Sequence, residues 1–180
     1  MDKNKKELIF KYELFGIFFI FLLGSILHFT FDISGGNLII GLFSAVNESV
    51  WEHLKLCFFP SILYAGIEYR FIKNAARNFF VSKAVGAYIM PLIIVLSFYT
   101  YTMFIDENLA LDILIFFMSI MVGQLTSYRL MVWEKTLHAY TKISIIAIIL
   151  LAILFFAFTL YPPRLPIFQD PVSGEYGIMV

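Results

Sequence analysis

Cysteine is nearly absent from this chain: Cys57 is the only one, and it lies in an apolar run. A disulfide framework, a CxxC redox pair and a thiolate metal cage are therefore excluded within one chain. Charge is scarce too. Only 14% of the residues are charged, against 61% hydrophobic, and the mean hydropathy is +0.85. An ordinary soluble domain of 180 residues could not keep such a surface in water. No internal repeat is visible, so the inverted-repeat plan of many transporters has no support. Nor is there a basic patch left over for nucleic acid, because the Lys and Arg residues fall at the ends of apolar runs.

Those apolar runs approach or exceed the roughly 20 residues a helix needs to cross a bilayer. They predict one all-helical transmembrane domain over residues 1–180, with the lipid bilayer as its partner. Five spans are expected, at about 8–31, 50–71, 84–104, 109–128 and 143–160. A short broken or re-entrant arm over 38–46 precedes the second, and a tail over 161–180 follows the last. Lys3, Lys5 and Lys6 stand before the first run, but that run is too long for a signal peptide and lacks a small-residue exit, so it reads as a retained helix. Gly35 and Gly36 mark a turn, and Pro91 a kink. Residues 38–46 are too few to cross, whereas one straight helix on to residue 73 would far exceed a bilayer of roughly 30 Å. The chain must break at the polar residues 47–49, and Ser49 with Glu52 has the spacing of a capping box.

With five spans, Lys3, Lys5, Lys6, Lys11, Arg70, Lys73, Arg77, Lys83, Arg129, Lys135 and Lys142 share one side, and Arg164 falls on the other. Basic residues favour the cytoplasmic side. The expected topology is N-inside and C-outside, multipass, in the cell membrane.

The polar run Asn47-Glu48-Ser49-Val50-Trp51-Glu52-His53-Leu54-Lys55 interrupts this pattern on the outer side. As a helix it would place Glu48, Glu52 and Lys55 on one face, at i, i+4 and i+7. The first span adds His28 and Asp32, one turn apart, at similar depth. Ionisable groups within a membrane segment face the bundle interior or water and mark function. Carboxylates with imidazoles suit a divalent metal such as Zn, Fe or Mn, and the expected ligands are His28, Asp32, Glu48, Glu52 and His53. With an open coordination position, the chemistry would be hydrolysis of a lipid-like substrate, with Glu48 or Glu52 as the catalytic base. Three other accounts stay open. Glu52 can cap its helix and pair with Lys55 for structure alone; the polar groups can line a path for a cation or small solute; or the protein can be a non-catalytic membrane partner or immunity-type protein. Asp170, Glu175 and Tyr176 of the tail emerge on the same side and are candidates for a lid. Glu13 and Glu68 lie toward the inner side, with Arg70 or Arg129 as expected ion-pair partners. Gln124 and Ser127 read as a polar packing stripe beside Gly123.

The run from Val46 to Lys55, VNESVWEHLK, resembles the signature of a family of small uncharacterised bacterial multipass membrane proteins, mainly from Firmicutes. The closing stretch from Pro163 through Phe168-Gln169-Asp170-Pro171 to Gly174-Glu175-Tyr176-Gly177 is similar to that family's C-terminal end. The resemblance implies that polar run and tail belong together, and it brings no established activity.

Overall fold

In the computed structural model, which describes residues 1–178, the apolar runs fold as helices. α1 covers Lys3–Ile33, α2 the single turn Leu38–Gly41, α3 Val50–Ile72, α4 Phe79–Thr102, α5 Leu109–Val132 and α6 Thr141–Leu160. Short 3₁₀ turns lie at His138–Tyr140 and Pro166–Phe168. Among the described residues there is no strand, only an isolated bridge between Gln169 and Tyr176. Residues 179 and 180, the end of the tail read over 161–180, lie outside the described range.

The architecture is all-helical, as expected. Among the described residues, four helices are long and apolar enough to cross a membrane: α1, α4, α5, and α6 with the 3₁₀ turn before it. α3 is of similar length, 23 residues, but carries Glu52, Lys55, Glu68 and Arg70. The outside of the bundle is apolar. Phe15, Phe18, Leu22, Ile26 and Phe29 of α1 are exposed, as are Ile146, Ile149 and Ile153 of α6. The inside holds Glu13, Glu52, Lys55, Glu68 and Lys83, all buried. Charges in and hydrocarbons out reverses the rule for water-soluble proteins and fits a membrane protein.

Side chains decide where several of the helices start, at the expected residue for α5 and away from it for α4. Asn108 starts α5 by accepting hydrogen bonds from the backbone N–H groups of Ala110 and Leu111 at 3.0 and 3.2 Å, as a good N-cap does. α4 begins at Phe79, about a turn before the expected start at 84, because Asn78 is fastened to the end of the neighbouring α5 and the link that follows it. Its Nδ2 donates to the carbonyls of Leu130 and Lys135, and its Oδ1 accepts from the N–H of Leu137 at 2.7 Å. The early start carries Lys83 out of the basic connection and into the interior. The capping box at Ser49 and Glu52 does not form. Ser49 makes no side-chain cap bond, its N–H donates to Asn47 Oδ1 at 2.9 Å, and Glu52 Oε2 accepts instead from the Val46 N–H at 3.2 Å.

Small residues set the helix contacts. A Cβ on Gly86 of α4 would stand 3.1 Å from the Gly123 carbonyl of α5, and one on Gly123 would stand 3.2 Å from the Gly86 carbonyl. Gly24 of α1 lies against the Leu56 carbonyl of α3. That carbonyl has lost its usual donor four residues on, since Pro60 has no N–H.

Candidate functional site

α1 and α3 pack side by side and run antiparallel, so the late turns of α1 meet the first turn of α3. That brings His28 to His53, with their Nε2 atoms 3.0 Å apart. Glu48, in the non-helical link before α3, reaches between them. Its Oε2 is 3.6 Å from His28 Nε2 and 3.4 Å from His53 Nε2. Hydrogen bonds from His28 and then His53 hold the Glu48 carboxyl well below the usual carboxylate range.

The tautomers follow from the partners. His53 Nδ1 lies 2.9 Å from the Ser49 carbonyl, which can only accept, so Nδ1 carries a proton and Nε2 is the atom that faces the cluster, as a donor to Glu48 when protonated or as a lone pair for a metal when not. Across the 3.0 Å Nε2–Nε2 contact one ring must donate and the other accept, and His28 Nδ1 is buried with no partner. A divalent cation at the centre would let both Nε2 atoms act as ligands without competing for a proton; His28 Nδ1 would then carry its ring's proton. Metal bonds of about 2.1 Å put tetrahedral ligand atoms about 3.4 Å apart, close to the three separations found. The Ser49 carbonyl behind His53 is the outer support that metal-bound imidazoles ordinarily have. The side chains of His28 and His53 are about three-tenths exposed, at 29% and 31%, and that of Glu48 is half exposed, at 50%, so a fourth position faces out.

Of the five expected ligands the structure joins three: His28, Glu48 and His53. Asp32 stands exposed in the last turn of α1, outside the cluster. Glu52 is turned the other way. Glu52 and His53 are neighbours on a helix, about 100° apart around its axis, so they cannot both face α1. Glu52 Oε2 forms a buried ion pair with Lys55, and its Oε1 accepts from the Thr159 hydroxyl of α6 at 2.9 Å. Lys55 Nζ also donates to Thr159 Oγ1 at 2.9 Å and to the Gly41 carbonyl at 2.8 Å. Every charge in this knot has a partner, and the expectation that Glu52 is a metal ligand or base does not fit it. The knot holds the arm: Gly41 and Val46, near its two ends, are both tied to α3. Thr159, a hydroxyl in the closing turn of an otherwise apolar stretch of α6, is the sequence signal of this knot on that helix.

The tail is ordered over the same end of the bundle. Phe168 packs on Trp51 at 4.8 Å between ring centroids and on Phe158 at 5.3 Å, and Asn47 Nδ2 donates to the Gly177 carbonyl at 3.0 Å. Asp170 closes a turn within the tail, accepting from the Val172 N–H and the Ser173 hydroxyl. Glu175 is exposed and Tyr176 half-buried. The residues that dock the tail are thus Phe168 and Gly177, rather than Asp170, Glu175 or Tyr176.

Over residues 1–178 the chain matches DUF6512, a family of unknown function, and belongs to it. No curated protein and no solved structure matches it.

Proposed function

Starting from membership of a family without an assigned activity, we propose that this chain is a multipass protein of the cell membrane that binds one divalent cation through His28 Nε2, His53 Nε2 and Glu48 Oε2. In this reading α3 is a fifth span, the N-terminus is cytoplasmic, and the cluster opens on the outer face, at the end of the bundle where the tail docks. One observation carries the proposal. Three donors from three separate segments converge at 3.0, 3.4 and 3.6 Å, with His53 locked by the Ser49 carbonyl into the tautomer a metal needs. Two imidazoles, one carboxylate and a free fourth position make the donor set of a catalytic zinc site, and Zn²⁺ is the first choice over Fe or Mn.

A metal held there would supply Lewis acidity and an activated water, and hydrolysis of a lipid-like substrate arriving from the bilayer is the reaction class that follows. Glu52, neutralised by Lys55, is not its base. Asp32, one turn beyond His28 on α1 and without an ion pair among the described residues, is, once Glu52 is set aside, the carboxylate nearest in sequence to these ligands for proton transfer.

The test is elemental analysis of protein purified without chelator, beside His28→Ala, His53→Ala, Glu48→Ala and Glu52→Gln. We expect near-stoichiometric metal in the wild type and in Glu52→Gln, and its loss in the other three. A wild type that stays metal-free after incubation with Zn²⁺ overturns the reading.

A further inference from the structure

The inner half of the bundle holds a second group of ionisable side chains that the metal site does not use. Glu13 of α1, Glu68 of α3 and Lys83 of α4 meet in the interior, at 0%, 0% and 6% exposure. Lys83 Nζ lies 2.8 Å from Glu13 Oε1 and 2.5 Å from Glu68 Oε2. α5 contributes Ser127, whose hydroxyl donates to Glu13 Oε1 at 2.8 Å, and the buried amide of Gln124. Tyr64 of α3 also borders the group, but its hydroxyl is spent on the Tyr12 carbonyl. Glu13 lies 15 residues before His28, roughly 22 Å away at about 1.5 Å per residue along α1, so the two clusters are separate sites.

The charges do not balance. Two carboxylates share one ammonium, and among the described residues no other cationic side chain pairs with either. The hydrogen bonds do not close either. Glu13 Oε2, Glu68 Oε1 and Gln124 Nε2 are buried with no partner. In a low-dielectric interior an excess charge must be neutralised, and an orphaned acceptor must find a donor. A single proton does both. A metal cation would need a shell of oxygens around it, and Lys83 Nζ already occupies the centre of this one.

We infer that Glu13, Glu68 and Lys83 form a proton-binding site inside the bundle, with one proton held by the carboxyl pair at neutral pH. The proton belongs to the pair rather than to either residue, as in coupled titrations generally. Glu68 Oε1 and Glu13 Oε2 are the two open positions for it. Such a site supplies what proton-linked transport or proton-driven conformational change requires: a buried acid that can be emptied and refilled.

The test is infrared spectroscopy of the purified full chain at neutral pH, with the glutamate bands identified by isotopic labelling of the carboxyl carbon. The wild type should show one protonated glutamic acid, and the band should disappear in both Glu13→Gln and Glu68→Gln, because each leaves one carboxylate against one ammonium. The exposed Glu175→Gln should keep it. A wild type without the band overturns the inference, and this outcome is decisive even if a glutamine variant does not fold. So does a band that survives in both variants, or one that appears only when Na⁺ and K⁺ are removed, which would assign the site to a metal cation. None of these readouts moves with metal occupancy at the outer cluster.

Discussion

Replacing Lys55 with methionine tests whether the knot at the head of α3 is structural. Methionine keeps much of the lysine stem but removes the ammonium that Glu52, Thr159 and the Gly41 carbonyl share. Glu52 is then a buried carboxylate with no counter-charge. Breaking a buried pair from one side costs about 3–5 kcal/mol, which for a chain of this size corresponds to a fall of about 6–20 °C in thermal midpoint. Adding Glu52→Gln to Lys55→Met should recover part of that loss. Glutamine carries no charge, its Oε1 can accept from the Val46 N–H, and its Nε2 can donate to the Thr159 oxygen that Lys55 no longer uses, so the double-mutant cycle should show a coupling of about 1–3 kcal/mol. The assay is scanning fluorimetry of the four proteins in one detergent, with metal content measured on the same samples. A Lys55→Met shift within the roughly 0.5 kcal/mol scatter of surface substitutions would refute the reasoning. So would a Glu52→Gln protein that keeps its stability and loses its metal.

Metal affinity should fall with acid. Both imidazoles must be neutral to bind, so affinity drops as pH falls below neutral and steepens toward about a hundredfold per pH unit once both compete with protons. Glu48 does not limit this window, because hydrogen bonds from His28 and His53 keep it ionised well below it; a flat Zn²⁺ titration between about pH 7 and 5 would exclude the imidazoles as ligands. Gly24→Ala drives a methyl group into the Leu56 backbone and should cost about 1–3 kcal/mol. Gly66→Ala, in the same bundle with nothing within 4 Å of the added carbon, should be neutral or gain about 0.5–1 kcal/mol. Equal thermal midpoints for the two alanine variants would contradict the α1–α3 crossing. Phe168→Ala should free the tail, read as faster proteolytic cleavage after residue 161 with the bundle intact.

Apolar run lengths made the helices legible, and polar residues interrupting those runs marked His28, Glu48 and His53. Rotation about α3 was harder to read. Helical spacing groups Glu48 with Glu52 and Lys55, yet Glu48 lies before the helix starts, so its place is set by the link and only Glu52 and Lys55 share a face. The inner cluster was hidden by one boundary. With α4 starting at 84, Lys83 belongs to a cytoplasmic connection, and Glu13 and Glu68 are left to seek Arg70 or Arg129. Asn78 fixes the start at Phe79, through contacts with residues more than 50 positions away, and no local pattern announces them.

Trp51 stands between Phe155, Phe158 and Phe168, with ring centroids 4.8 to 5.4 Å away. It is one of two tryptophans in the chain, the other being Trp133. A Trp133→Phe protein would therefore carry a single tryptophan, selectively excited at the red edge of the aromatic absorption, two residues from His53 and covered by Phe168 of the tail. Its emission colour would report whether that cover is in place, and its intensity whether a quenching metal such as Co²⁺ has arrived at the cluster. The molecule contains its own optical gauge for both events, readable in a bilayer and without any attached label.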